Sequence, residues 1–157
     1  MTRPNAIEII MTGPLMPYAA DQLKARFTVH ELWKAEDRAA MLRDLSDRVR
    51  GVAGGGSHVR IDGALFDALP KLEMIANFGV GYDNVDAAEA GRRGIVVSNT
   101  PDVLSDEVAD LAIGLLLSTV RQLPQVDRYL REGKWLKGAY PLTTSLRKRS
   151  IGIVGLG

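Results

Sequence analysis

The sequence predicts an α/β protein built on a small doubly wound parallel sheet, and three observations predict it. Short apolar or β-branched runs alternate with helical patterns. Several of those runs are apolar on both faces, as strands covered on two sides are. The glycines, 16 in 157 residues, make up about 10% against a usual ~7%. They cluster where the runs end, at Gly51 to Gly56, Gly79 and Gly81, Gly91 and Gly94, and Gly152 to Gly157. Such clusters punctuate strand-to-loop edges.

The elements follow in order. Ile7 to Met11 reads as a strand stopped by Gly13-Pro14. Pro17 to Phe27 reads as a helix with proline at its start and Ala19, Leu23 and Phe27 spaced by four. Phe27 to Leu32 suits a short strand. Glu36 to Leu45 is a charged surface helix with Ala39, Leu42 and Leu45 at spacing three. Val49 to Ala53 is a strand entering Gly54-Gly55-Gly56, and Gly63 to Leu69 a short helix. Glu73 to Phe78 is a strand entering Gly79-Val80-Gly81. Asp86 to Arg93 is a helix ended by Gly94, and Ile95 to Ser98 a strand. About five strands before residue 100 suffice for a doubly wound domain.

After Pro101 the pattern changes. Ser105 reads as an N-cap, with Asp106 and Glu107 in the first turn, where the helix dipole favours carboxylates. Val108, Leu111, Ala112, Leu115 and Leu116 form one apolar stripe, and Ala109, Ile113 and Leu117 make the other side apolar too. Such a helix is expected to be buried between two bodies of protein. Gln125 to Glu132 continues as a more polar helix, and Lys134 to Arg149 reads as loop. The run Ile151-Gly152-Ile153-Val154-Gly155-Leu156-Gly157 reads as a strand ending in Gly-x-Gly, the opening of a dinucleotide-binding βαβ unit. With no neighbouring strand it is expected to stand apart from the first sheet.

Composition narrows the partners. The chain is 46% hydrophobic and 25% charged, which excludes a disordered polymer. Lys+Arg 20 against Asp+Glu 19 leaves a net charge of +1, no electrostatic reason to bind nucleic acid or an anionic membrane. The absence of cysteine excludes disulfides, a thiolate nucleophile and cysteine metal sites. The longest apolar stretch, Leu111 to Val120, is far below the ~18 residues of a membrane span. The N-terminus has no signal-peptide pattern. A cytoplasmic protein is expected.

The candidate site lies in Asn77-Phe78-Gly79-Val80-Gly81-Tyr82-Asp83-Asn84-Val85-Asp86. Side-chain-free positions at a strand end let backbone N–H groups meet a small anion such as a carboxylate, although an ordinary glycine turn has the same pattern. Gly54-Gly55-Gly56-Ser57 at the preceding strand end repeats the logic. Ligands of open α/β sheets bind at the carboxyl ends of strands, so a shared cleft is plausible, as is a plain connection. Asp86 suits a helix cap and Asp83 a turn better than a metal site. His30 and His58 have no catalytic partner at motif spacing and read as ordinary polar histidines. Asp106, Glu107 and Asp110 read as dipole-favouring residues rather than an acid–base pair.

Taken in order, the blocks resemble the D-isomer-specific 2-hydroxyacid dehydrogenase family, closest to its glyoxylate and hydroxypyruvate reductase branch. The blocks are Asn77 to Asp86, Gly94 to Pro101, Ser105 to Ala112, Gly133-Lys134-Trp135 and Ile151 to Gly157. The likeness is continuous from about residue 70 and looser before it. It implies a flavodoxin-like substrate domain (1–100), interdomain helices (101–133), then a linker and the first strand of an incomplete Rossmann domain (134–157). It implies NAD or NADP as cofactor, a small 2-oxo or 2-hydroxy acid as substrate, and a homodimer. By the resemblance, Gly79, Val80 and Gly81 hold the substrate carboxylate, with Gly55 and Gly56 on the second substrate-facing loop. Val80 and Val108 line the cofactor, and Gly155 and Gly157 begin the pyrophosphate loop. The phosphoglycerate branch carries arginines where this chain has Gly56 and Asn77, so a phosphorylated substrate is disfavoured. The family's catalytic arginine, glutamate and histidine fall in or after the Rossmann domain, and no residue here matches them. The chain alone is expected to lack dehydrogenase activity. The competing expectation is a non-catalytic binding or dimerisation module of the same fold.

Overall fold

The computed structural model describes residues 7–55 and 59–155. It divides into two compact units, Met1–Val103 and Leu104–Gly157.

The first unit carries the sheet. Its elements are β1 (Glu8–Met11), α1 (Pro17–Arg26), β2 (Thr28–Glu31), α2 (Arg38–Leu45), β3 (Val49–Gly55), α3 (Gly63–Ala68), β4 (Met74–Phe78), α4 (Ala87–Arg92) and β5 (Val96–Ser98). The five strands lie in the order β2-β1-β3-β4-β5, and every pairing is parallel. This is the flavodoxin-like doubly wound topology, whose strand order reverses beside β1.

Three aspartates start the helices on one face. Asp37 accepts from the Ala40 N–H at 2.9 Å, Asp62 from Ala64 at 3.2 Å and Asp86 from Glu89 at 2.9 Å. Each satisfies a donor that the first helical turn leaves unpaired. The Asp37 cap explains why α2 begins at Arg38 rather than Glu36. Gly94, at φ +74°, ends α4 in the left-handed conformation that glycine adopts most easily. β2 ends at Glu31, because Leu32–Lys34 close a 3₁₀ turn through Ala35 N–H to Leu32 O.

The core sits between the sheet and α2, α3 and α4. Ile10, Val52 and Ile75 from the strands meet Leu45, Leu65, Phe66 and Ala90 from the helices. The expectation of strands covered on both faces holds for β1, where Ile9, Ile10 and Met11 are buried in succession, and for β3 at Val52 and Ala53, but not for β4. β4 alternates, with Ile75 and Asn77 buried and Met74, Ala76 and Phe78 exposed. On that second face Leu23 and Phe27 of the α1 segment lie beside Ile9, Gly51 and Ala53. Met74 and Val96 remain 45% and 59% exposed.

The second unit contains α5 (Ser105–Arg121) and α6 (Leu123–Arg131), followed by a 3₁₀ turn at Lys134–Leu136. Leu104, not Ser105, takes the N-cap position, and no side chain caps the helix. The chain is already turning there, and the Leu104 carbonyl accepts the Val108 N–H at 3.0 Å. α6 starts earlier than read, because Pro124 is tolerated in a first turn, where no N–H is needed. Gln122, at φ +54°, breaks the two helices apart. The segment after α6 is tied down by Tyr129 Oη donating to Gly138 O and Tyr140 Oη to Gln122 Oε1, both at 2.8 Å.

Two expectations for this unit are corrected. α5 buries none of its residues: Val108, Leu111 and Leu115 are 61%, 62% and 59% exposed. Its own unit offers it little beyond α6 and the following loop. Ile151–Val154 form no strand. A strand needs a partner for its N–H and C=O groups, and these residues take no place in the five-stranded sheet.

Candidate functional site

The two glycine-rich strand ends lie side by side. The β3–β4 register pairs Gly54 with Asn77 and Gly55 with Phe78, so both loops leave the carboxyl edge of adjacent central strands. Gly55 is tightly surrounded: a Cβ there would stand 2.8 Å from the flexible end of Leu15, Cδ2, and 3.3 Å from Phe78 Cβ. Gly79 and Gly81 are different. Neither adopts positive φ, and a Cβ at either would meet only ordinary contacts, the nearest at 3.4 Å and 3.6 Å. Nothing within the described chain demands glycine there; what its absence of side chain provides is open backbone.

The loop between them is held by its carbonyls. Gly79 O accepts the Thr100 N–H at 3.0 Å, and Tyr82 O accepts the Val85 N–H at 2.8 Å. Val80 O accepts Asn99 Nδ2 at 2.8 Å, and Gly81 O accepts Asn77 Nδ2 at 3.0 Å. Four successive carbonyls are thus engaged by the protein. The N–H groups of Val80 and Gly81, like those of Tyr82, Asp83 and Asn84 after them, have no acceptor among the described residues. Adjacent unpaired amides at a strand end are free to donate to a small anion. Val80 itself is 45% exposed.

A second layer fixes this arrangement. Asn77 is buried, and its Oδ1 accepts Asn84 Nδ2 at 3.4 Å. The same Asn84 amide lies 3.4 Å from Val59 O. Asn84 O accepts the Ile61 N–H at 2.8 Å, and Ile61 O accepts the Asp86 N–H at 2.9 Å. The segment after β3 and the loop after β4 are therefore stitched together. Sequence reading found the glycines and the capping role of Asp86 but missed Asn77, Asn84 and Asn99 as amide donors. The available signal was three asparagines, Asn77 at the end of β4, Asn84 in the loop after it and Asn99 just after β5.

The other candidates lie elsewhere. His30 Nε2 hydrogen-bonds Glu8 Oε2 at 2.7 Å across β1 and β2, a structural polar pair with no nucleophile. Val108 lies in the first turn of α5 and Gly155 in irregular chain of the second unit. Gly56, His58 and Gly157 lie outside the described residues. No group of three or more potential metal ligands occurs among the described residues. No helix there is long and apolar enough to cross a membrane. Titrations are displaced in surface ion pairs instead, as at Glu73, whose carboxyl is lowered chiefly by hydrogen bonds from Arg50.

The fold and site define an α/β domain whose two glycine-rich loops leave the carboxyl ends of adjacent central strands, one of them with unpaired backbone amides. Residues 9–152 match the model of the D-isomer specific 2-hydroxyacid dehydrogenase catalytic domain, and the chain belongs to that family. It is 40% identical over 153 residues to a glyoxylate/hydroxypyruvate reductase of Arabidopsis thaliana, covering 98% of this chain and 49% of the relative. A 2-hydroxyacid dehydrogenase from Ketogulonicigenium vulgare Y25 superposes with a TM-score of 0.82 at 43% identity, over 89% of this chain and 44% of that one. An NADPH-dependent glyoxylate/hydroxypyruvate reductase from Sinorhizobium meliloti, solved with NADP and malonate, gives a TM-score of 0.76 at 43% identity. That match covers 98% of this chain and 47% of the other. The chain spans about half the length of the curated relatives it matches.

Proposed function

We propose that this chain supplies the substrate-binding part of a cytoplasmic NAD- or NADP-dependent reductase. Its substrates are small unphosphorylated 2-oxo acids of the glyoxylate and hydroxypyruvate kind. The observation that carries the reading is the pair of acceptor-free amides at Val80 and Gly81, at the strand edge where ligands of such sheets bind. Two N–H donors to one carboxylate are charge-assisted and contribute about 1.5–3 kcal/mol each. Gly79 and Gly55 border that seat in this reading, and Gly56 is allotted to it by motif position alone. The Asn77 amide is already engaged by Gly81 and Asn84, which supports a substrate without a phosphate.

A bound nicotinamide would supply the hydride that reduces the 2-oxo carbonyl. This chain's own part is to bind and orient the acid. Val80 offers an exposed apolar side chain on the same residue whose amide faces the anion. Gly155 has φ +84°, and a Cβ there would meet nothing within 4 Å. That conformation fits the first glycine of a pyrophosphate loop. Val108 and Gly157 are allotted to the cofactor by motif position. The division into 1–100, 101–133 and 134–157 belongs to the same proposal. So does homodimerisation, which the exposed apolar surface of α5 supports.

The test is a chimera joining this chain to the remaining half of the Sinorhizobium reductase. It should reduce glyoxylate or hydroxypyruvate with NADPH, and this chain alone should not. A folded chimera that binds NADPH and reduces no 2-oxo acid would overturn the reading and favour a binding module. Turnover by the chain alone would overturn the division of labour.

A further inference from the structure

We infer that Asn99 is a positioning residue for the anion seat: its side-chain amide holds the Val80 carbonyl toward the protein and thereby turns the Gly81 N–H, next to that of Val80, outward. This rests on the carboxylate reading of that loop and goes beyond it by naming what keeps the loop in its binding conformation.

The argument starts from peptide planarity. The carbonyl of residue 80 and the N–H of residue 81 belong to one rigid trans unit and point in opposite directions. Fixing the Val80 carbonyl therefore fixes the direction of the Gly81 N–H. The Gly79 carbonyl fixes the Val80 N–H in the same way. Asn99 Nδ2 takes the first at 2.8 Å and Thr100 N–H the second at 3.0 Å. Both donors come from the two residues immediately after β5. The last β4–β5 register pair is Ala76 with Ser98, so the chain past β5 grips the loop past β4 with one side-chain and one backbone bond. A loop with glycines on either side of Val80 has many accessible conformations. Without a donor at 99 the 80–81 peptide is free to flip, and a flipped peptide presents a carbonyl oxygen to the anion. Asn99 is only partly buried and is not a member of the hydrophobic core cluster. Gly81 O is held separately by buried Asn77, which explains why removing Asn99 alone should loosen the 80–81 peptide without releasing the whole loop.

The experiment uses the full ¹⁵N-labelled chain with oxamate as probe, a carboxylate beside an amide carbonyl. In the unsubstituted chain the Val80 and Gly81 amides should shift saturably. In Asn99→Ala, and in Asn99→Leu, which keeps the shape and loses the donor, those two amides should move and exchange faster before any ligand is added. Oxamate should then bind about tenfold more weakly, with the Ile10, Val52 and Ile75 resonances unchanged. Unaltered Val80 and Gly81 amides and unaltered affinity in both variants would overturn the inference. Loss of the core resonances in both would also overturn it, making Asn99 a determinant of the fold. An unsubstituted chain with no saturable shift at Val80 or Gly81 would instead overturn the carboxylate reading, while the ligand-free amide positions would still report on Asn99.

Discussion

Gly55 and Phe78 face each other in the β3–β4 register, and a Cβ built on Gly55 would lie 3.3 Å from the Phe78 Cβ and 3.4 Å from its carbonyl oxygen. Leu15 Cδ2 would be closer still, at 2.8 Å, but it is the far end of a flexible side chain. Phe78 is held by its strand. Gly55→Ala should therefore cost about 1–3 kcal/mol, the usual range for overpacking, and show as a lower midpoint in urea. Gly91→Ala is the counterpart. Gly91 lies within α4, and a Cβ there meets nothing within 4 Å. It should gain about 0.5–1 kcal/mol from helix propensity. Equal effects of the two substitutions would show that the contact between the two strand ends does not constrain the edge.

Asp83 carries a carboxylate to within 3.6 Å of the Cβ position of Gly81. A negative charge beside an anion seat repels its ligand, and at effective dielectric constants near the surface this amounts to about 1 kcal/mol or more over such distances. Asp83→Asn should strengthen oxamate binding severalfold at low salt, with the gain shrinking at high ionic strength. Isothermal titration at two salt concentrations measures it. Weaker binding in the variant would mean that Asp83 shapes the loop rather than opposing the ligand.

Stability of the first unit should fall on acidification. Glu31 is lowered first by its hydrogen bond from Lys34 and then by that from Lys24. Glu73 is lowered chiefly by Arg50, and Glu89 by Arg93 and then Arg92. A carboxyl with a folded pKa below the unfolded value of 4.5 binds fewer protons in the native state. Its contribution is present above pH 4.5 and is lost as pH falls through the lowered folded values. These pairs are exposed, so each contribution is small and salt-sensitive. Melting temperature should be level above about pH 5 and drop below 4.5, and the drop should be shallower in Glu73→Gln. A midpoint that rises on acidification would contradict the sign.

Much of this architecture was legible in the sequence, for reasons visible in particular elements. β4 and β5 announced themselves because Met74-Ile75-Ala76 and Val96-Val97 are apolar runs cut off by Gly79 and preceded by Gly94. Asp86 was readable as a cap because its position before a helix leaves it few other roles. What was not legible depended on partners distant in sequence. That Asn99 meets Val80, or Asn84 meets Val59, follows from parallel crossovers that bring strand ends together, not from spacing. Ser105 misled because local cap preference was overruled by the turn at residues 101–104. Ile151–Val154 has strand composition but no ladder, since β-propensity expresses itself only where a neighbour supplies the hydrogen bonds.

α5 presents the sharpest imbalance between sequence and surroundings. Leu111, Ile113 and Leu115 are each more than half exposed, on a helix whose apolar residues run round both sides. Contiguous apolar surface of this kind drives association in water. The chain should therefore self-associate in a concentration-dependent way, measurable by light scattering after gel filtration. Leu111→Lys combined with Leu115→Glu should shift it toward monomer. Neither residue belongs to the first unit, so the Val52 and Ile75 resonances should stay in place. The same pair of charges should leave oxamate binding at Val80 and Gly81 unchanged. A chain that is monomeric at every concentration would remove the support that α5 lends to homodimerisation.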